Sequence, residues 1–210
     1  MKKIVSILLL PVLGAGIFEA HAFDRNDYYK YPNDVSIQYS LGSTQTFASL
    51  VIGSYLVIPA TIAGMNFDRY GSTGTIGAGY MRSLGKTVSV GLVFNYTRQF
   101  TNYHDKDNPA ITGHFSIDWY FLMATARFYW FKTPGFAMYS KIGLGSGMYG
   151  TQSKQKAEDG KLDKSPYSIG LAPALQLSPV SMEFGGRLRG FIELGAGMEG
   201  IALGGLKYYF

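Results

Sequence analysis

The stretch Gly200–Phe210, G-I-A-L-G-G-L-K-Y-Y-F, decides how this chain is read. Counting back from Phe210, Tyr208, Leu206, Gly204 and Ala202 form a row that is apolar or small, while Tyr209, Lys207, Gly205, Leu203 and Ile201 form the row that carries the charge. Successive side chains of a strand point to opposite faces, so an uncharged row beside a charge-bearing row fits a strand with lipid on one side. The opposite end of the chain has the composition of an export signal. Met1-Lys2-Lys3 is a short positive region, Ile4 to Ile17 is apolar apart from small residues and Pro11, and Ala20-His21-Ala22 supplies an A-x-A cleavage site. Fourteen residues are too few for a helix to cross a hydrocarbon core, which takes about 20. The expected organisation is a signal peptide over 1–22 and a single mature domain over 23–210.

Composition supports a strand-built membrane protein. The chain has 210 residues, of which 27 are Gly, 16 Tyr and 14 Phe, and only 16% are charged, against about a quarter in ordinary soluble domains. Tyr and Phe suit strands and membrane interfaces, and glycine suits turns and crowded barrel interiors. The formal net charge of +5 is dispersed rather than gathered into Lys/Arg clusters, so no nucleic-acid partner is expected. Cysteine is absent, which excludes disulfides and a lipid-modified N-terminal cysteine. After the signal no run of 18 apolar residues occurs, so any insertion must be by strands.

Alternation is clearest over Thr87–Gln99. Val88, Val90, Leu92, Phe94 and Tyr96 share one face; Thr87, Ser89, Gly91, Val93, Asn95, Thr97 and Gln99 share the other. Such a run exceeds the usual soluble strand and matches the roughly ten-residue tilted strand of a membrane barrel. Eight strands are predicted, near 34–42, 72–82, 86–100, 112–131, 135–151, 166–184, 188–197 and 200–210. Tight turns at Leu84-Gly85-Lys86, Lys132-Thr133-Pro134 and Gly185-Gly186-Arg187 alternate with longer polar loops at 43–71, 101–111 and 152–165, and the last connection, at Met198-Glu199, is short. Within the first loop, Phe47, Leu50, Val51, Ser54, Tyr55 and Ile58 follow helical spacing, with Thr44 as a cap and Pro59 as a terminator. The rival for this segment is a strand over 50–58, which would give an odd strand count, so a short helix is favoured. At Pro179 the apolar parity flips, and a bulge there would restore it.

Over residues 23–210 this pattern resembles the small eight-stranded outer-membrane β-barrels of Gram-negative bacteria, including the transmembrane domain of outer-membrane protein A and the OmpX-like barrels. The resemblance rests on the A-x-A signal, the alternating strands and the terminal L-K-Y-Y-F. It implies an all-β, eight-stranded antiparallel transmembrane barrel in the cell outer membrane. Gly205, Tyr208 and Phe210 resemble the C-terminal signal read by the outer-membrane assembly machinery; Leu203 stands where that signal usually has a polar residue.

With each apolar row taken as the lipid face, Arg127, Lys141, Glu183, Glu193 and Lys207 all point inward. They are the candidate lumen ion-pair cluster, because isolated charges in so narrow an interior cost too much. Tyr139 and Ser181 are candidate lumenal hydroxyls. Arg82, Arg98 and Asp118 share parity with lipid-facing residues but sit at strand ends, where they reach headgroups or water. His114, Ser116 and Asp118 share one face of a strand, and their H-x-S spacing is similar to that of outer-membrane lipid A deacylases, with Ile117 where that motif has asparagine. Asp105-Lys106-Asp107-Asn108 lacks the spacing and glycine of a calcium loop. Lys154, Lys156, Lys161 and Lys164 face Glu158, Asp159 and Asp163 in a hairpin loop whose lysines could meet lipopolysaccharide phosphates. The expectation is a monomeric, non-enzymatic barrel with no cofactor or metal, in contact with the bilayer and lipopolysaccharide, with a structural or surface-interaction role. The alternatives are a small-solute channel and a lipid-acting enzyme.

Overall fold

The computed structural model describes residues 31–42, 65–105, 112–156, 162–164 and 166–210. The signal peptide expected over 1–22, the helix expected over 45–58, and Glu158, Asp159 and Lys161 of the expected lysine-bearing loop lie outside these residues. The described chain forms nine strands: β1 (Asn33–Leu41), β2 (Met65–Ser83), β3 (Val88–Asp105), β4 (Thr112–Lys132), β5 (Phe136–Lys156), β6 (Leu162–Lys164), β7 (Ser168–Gly185), β8 (Leu188–Gly197) and β9 (Ala202–Tyr209). Hydrogen bonding follows the order β4-β3-β2-β1-β9-β8-β7-β5-β6, and β4 also pairs with β5, which closes the ring. Every pairing is antiparallel. The short β6 pairs only with Lys154–Lys156 and prolongs the β5–β7 hairpin, so the barrel proper has eight staves. Closure falls between β1 and β9, from Asp34↔Tyr209 to Leu41↔Ala202. Asn33 and Phe210 then exchange backbone bonds at 3.1 and 2.9 Å, fastening the two ends of the barrel together.

The predicted strands agree with these, with one systematic difference. At the loop end β3 runs to Asp105 and β5 to Lys156, and β2 begins at Met65, all farther than the sequence reading placed them. The physical reason is that a ladder needs backbone partners, not lipid. Once strands are paired they continue past the apolar band, where polar side chains on both faces erase the alternation.

Facing follows the period of two throughout. Leu92 and Phe94 are exposed on the outside, whereas Ser89, Asn95, Thr97 and Gln99 are buried inside. Ile37, Leu122, Leu144, Leu171, Leu175 and Leu194 extend the exterior apolar surface around the ring. Pro179 is the site of a bulge. The β7–β8 register shifts between Leu177 and Val180, and the β5–β7 register shifts opposite it, between Tyr139 and Lys141. Ser140 donates to the Pro179 carbonyl at 2.7 Å across that irregularity. The bulge turns Ser178 and Ser181 both inward and keeps Val180 outward.

Candidate functional site: the lumen

The interior is crowded, and glycines on the inner wall make room for its large side chains. Gly77, Gly79, Gly91, Gly143, Gly147 and Gly205 lie beneath lumenal side chains such as Asn95, Met81, Phe121 and Phe191. Into that space the strands project four cations and three carboxylates, and the β8–β9 turn adds a fourth carboxylate. Arg127, Lys141, Arg189 and Lys207 are buried with Asp34, Glu183, Glu193 and Glu199. Formal charge in the cluster is therefore balanced.

The pairs connect into a chain along the barrel. Nearest the tight turns, Arg127 Nη1 donates to both carboxylate oxygens of Asp34 at 3.0 and 2.9 Å. Beside it Glu183 accepts from Arg189 Nη1 at 2.9 Å, Lys207 Nζ at 3.0 Å and the Tyr209 hydroxyl at 2.8 Å. Lys207 also donates to the Tyr139 hydroxyl at 2.5 Å, and Tyr139 donates to Glu193 at 2.5 Å. Glu193 and Glu199 both pair with Lys141, the latter at 2.7 Å. Glu199 finally accepts from Gln38 Nε2 at 2.9 Å, and Gln38 donates to Asn95 Oδ1 at 3.0 Å. Buried charges persist only with such partners, since desolvating a lone ion costs several kcal/mol. Above this network Phe121, Met123 and Ala174 cluster, with Trp119 and Met198 packed against them, so an apolar layer follows the polar one.

The five charges picked from sequence all point into the lumen, though not as one compact group. Arg127 and Lys141 are cross-strand partners, but each takes carboxylates from elsewhere. Tyr139 bridges the two halves, while Ser181 Oγ has no hydrogen-bond partner among the described residues. Sequence reasoning missed Asp34, Arg189 and Glu199. Asp34 and Arg189 obey the same parity as their neighbours, and only their places at strand ends hid them. Glu199 had no such signal, because it lies in a turn. That turn folds into the barrel: Glu199 N donates to Gln176 Oε1 at 3.0 Å, Gln176 Nε2 donates to the Gly200 carbonyl at 3.2 Å, and Ser40 Oγ bonds the Glu199 carbonyl. Gly197 and Gly200, at φ 143° and 136°, adopt the backbone that lets so short a connection fold inward.

The residues of the H-x-S-x-D face lie on the exterior of β4, not in the lumen. Each is engaged by β3 rather than by another of the three. His114 Nδ1 is 2.7 Å from Asn102 Oδ1, Arg98 Nη2 is 3.5 Å from Ser116 Oγ, and Asp118 accepts from the Tyr96 hydroxyl at 2.8 Å. Of the residues expected to form a terminal assembly signal, Gly205 faces the lumen against Phe191, while Tyr208 and Phe210 stack on the exterior with ring centroids 6.5 Å apart.

A closed antiparallel ring of eight staves, apolar outside and charged inside, is the architecture of a small transmembrane β-barrel. Two solved structures of Ail, the attachment invasion locus protein of Yersinia pestis, are similar to the chain. One, in complex with the heparin analogue sucrose octasulfate, is 11% identical, with 84% of this chain and 97% of that chain covered and a TM-score of 0.35. The other, of Ail alone, is 10% identical over the same shares, with a TM-score of 0.33. Scores this low mean that the backbones do not superpose closely, and the fold assignment rests on the strand pairing of this chain itself. No protein-family model and no curated protein matches it.

Proposed function

We propose that this protein is exported through a cleaved signal peptide and inserted in the cell outer membrane by the barrel assembly machinery. There it stands as a monomeric barrel with a structural or surface-interaction role, its lumen closed by ion pairs. The observation that carries this reading is the balanced, hydrogen-bonded row of four cations and four carboxylates inside a barrel whose exterior is apolar. An eight-stranded barrel is only wide enough for its own side chains, so a filled interior leaves no continuous water path. The tight turns then lie on the periplasmic side, and the longer connections face outward, toward lipopolysaccharide and the surroundings. With the lumen filled and His114, Ser116 and Asp118 each committed to β3, neither transport nor hydrolysis is part of the assigned role.

Planar-bilayer recording tests the closed lumen. Purified wild type is expected to give negligible steady conductance, and Glu193→Ala, which strips Lys141 and Tyr139 of a shared partner, to give measurable openings. Large steady channels from the wild type would overturn the plug and favour a small-solute channel.

A further inference from the structure

On the outside of β3, β4 and β5 the lipid-facing rows change character at one level. The strand registers align Phe94 with Leu122 and Ser146, then Tyr96 with Tyr120 and Met148, then Arg98 with Asp118 and Gly150, Phe100 with Ser116 and Gln152, and Asn102 with His114 and Lys154. Uncharged rungs, apolar but for Ser146, end in the tilted Tyr96–Tyr120 pair, whose ring centroids are 5.1 Å apart, and every rung beyond carries polar or charged groups. From Val88 to Arg98, at about 3.4 Å per residue and a tilt of about 40°, the strand rises about 26 Å, the height of the apolar band. Arg98, His114 and Lys154 therefore stand on the exterior at headgroup level, above an aromatic girdle.

Their chemistry at that level is selective. The Arg98 side chain is 42% exposed, with Nε 3.7 Å from Asp118 and Nη2 near Ser116 Oγ. Asp118 also accepts from the Tyr96 hydroxyl, so the ion pair holds the Arg98 guanidinium in place while leaving its side chain partly exposed. Lys154, directly across from His114, makes no ion pair among the described residues. The His114 ring is fixed through Nδ1 by Asn102 and by stacking with Phe100 at 6.2 Å, which leaves Nε2 as its second hydrogen-bonding atom. A half-exposed guanidinium fork on β3 and, two rungs farther out on β5, an ammonium are charged donors for a phosphate oxyanion, with His114 and the buried Ser116 holding the wall between them.

Resting on the membrane reading above, we propose that this patch binds the phosphate of an outer-leaflet glycolipid headgroup, whose acyl chains run down over Tyr96, Tyr120 and Met148. The lipid is favoured over free phosphate because the donors sit at the end of an apolar wall that only an amphiphile can use as well.

Native mass spectrometry of the barrel released from neutral-detergent micelles tests this. The probes are diphosphorylated lipid A, the same lipid stripped of both phosphates, and inorganic phosphate as competitor. Wild type is expected to retain the diphosphorylated form on the order of tenfold better than the stripped form, since each basic residue near a charged lipid surface contributes several-fold. The Arg98→Gln/Lys154→Gln double variant should bring the two lipids close to parity, while Arg82→Gln, at the turn end of β2, should keep the preference. A preference unchanged in the double variant, or absent in wild type, would overturn the site. Competition by millimolar inorganic phosphate would overturn the lipid as its occupant. Heat-dependent gel migration of the same samples reports the closed barrel separately, so failure of the site and failure of the fold are distinguishable.

Discussion

At the scale of single residues, the lumen is governed by what it costs to leave a charge unpaired. Glu199 shows this best, for it reaches in from a turn to give Lys141 a second carboxylate and Gln38 an acceptor. Removing one partner of a buried pair commonly costs about 3–5 kcal/mol, and the remaining Glu193 moderates that here. Glu199→Ala is therefore expected to lower stability by about 2–3 kcal/mol in reversible urea unfolding from lipid vesicles. Glu199→Gln keeps an oxygen that can accept from Lys141 and Gln38 and should be milder. Equal, wild-type stability for both would mean that the turn does not secure the network. Charges that sit within a strand were legible because alternation gives each a side. Glu199 was not, because a turn has no alternation, and its place depends on long-range closure between β1, β7 and β9. Which cation meets which carboxylate was hidden for the same reason: Arg127 and Asp34 are 93 residues apart in the chain.

At the scale of the element, β9 puts the two-faced reading of Gly200–Phe210 to a direct test. Gly204 and Gly205 are adjacent yet point to opposite sides. A Cβ on Gly204 would meet only the Phe191 carbonyl, at 3.5 Å, on the open exterior. A Cβ on Gly205 would press on the Ile37 carbonyl and lie 2.8 Å from Phe191 Cε1. Gly204→Ala should thus be close to neutral, while Gly205→Ala should cost about 1–3 kcal/mol through overpacking, as read by the urea midpoint in vesicles. The opposite ranking would reverse the assigned faces of the strand. The same alternation made the lower two-thirds of most strands readable, and the parity change at Pro179 located the β7 bulge. The outer ends of β2, β3 and β5 were not readable, because above the girdle neither face is selected for lipid and the ladder alone sustains them.

At the scale of the whole molecule, each of the eight barrel strands pairs with two neighbours, which closes the ring, and the lumen of the described barrel is filled by its own side chains. Exterior, wall and interior are thus three separate environments within a few ångströms on one strand. Because the chain contains no cysteine, a single introduced thiol reports one environment without interference. The most direct measurement is labelling of Leu92→Cys and Asn95→Cys in lipid vesicles, reading both reaction with a water-soluble maleimide and quenching of an attached fluorophore by brominated acyl chains. With this facing, Leu92→Cys is expected to be strongly quenched by the acyl chains, and Asn95→Cys to be neither quenched nor readily modified, being sealed in a packed lumen. Rapid modification of Asn95→Cys by the water-soluble reagent, in vesicles where Leu92→Cys is still quenched, would contradict it by showing an open pore.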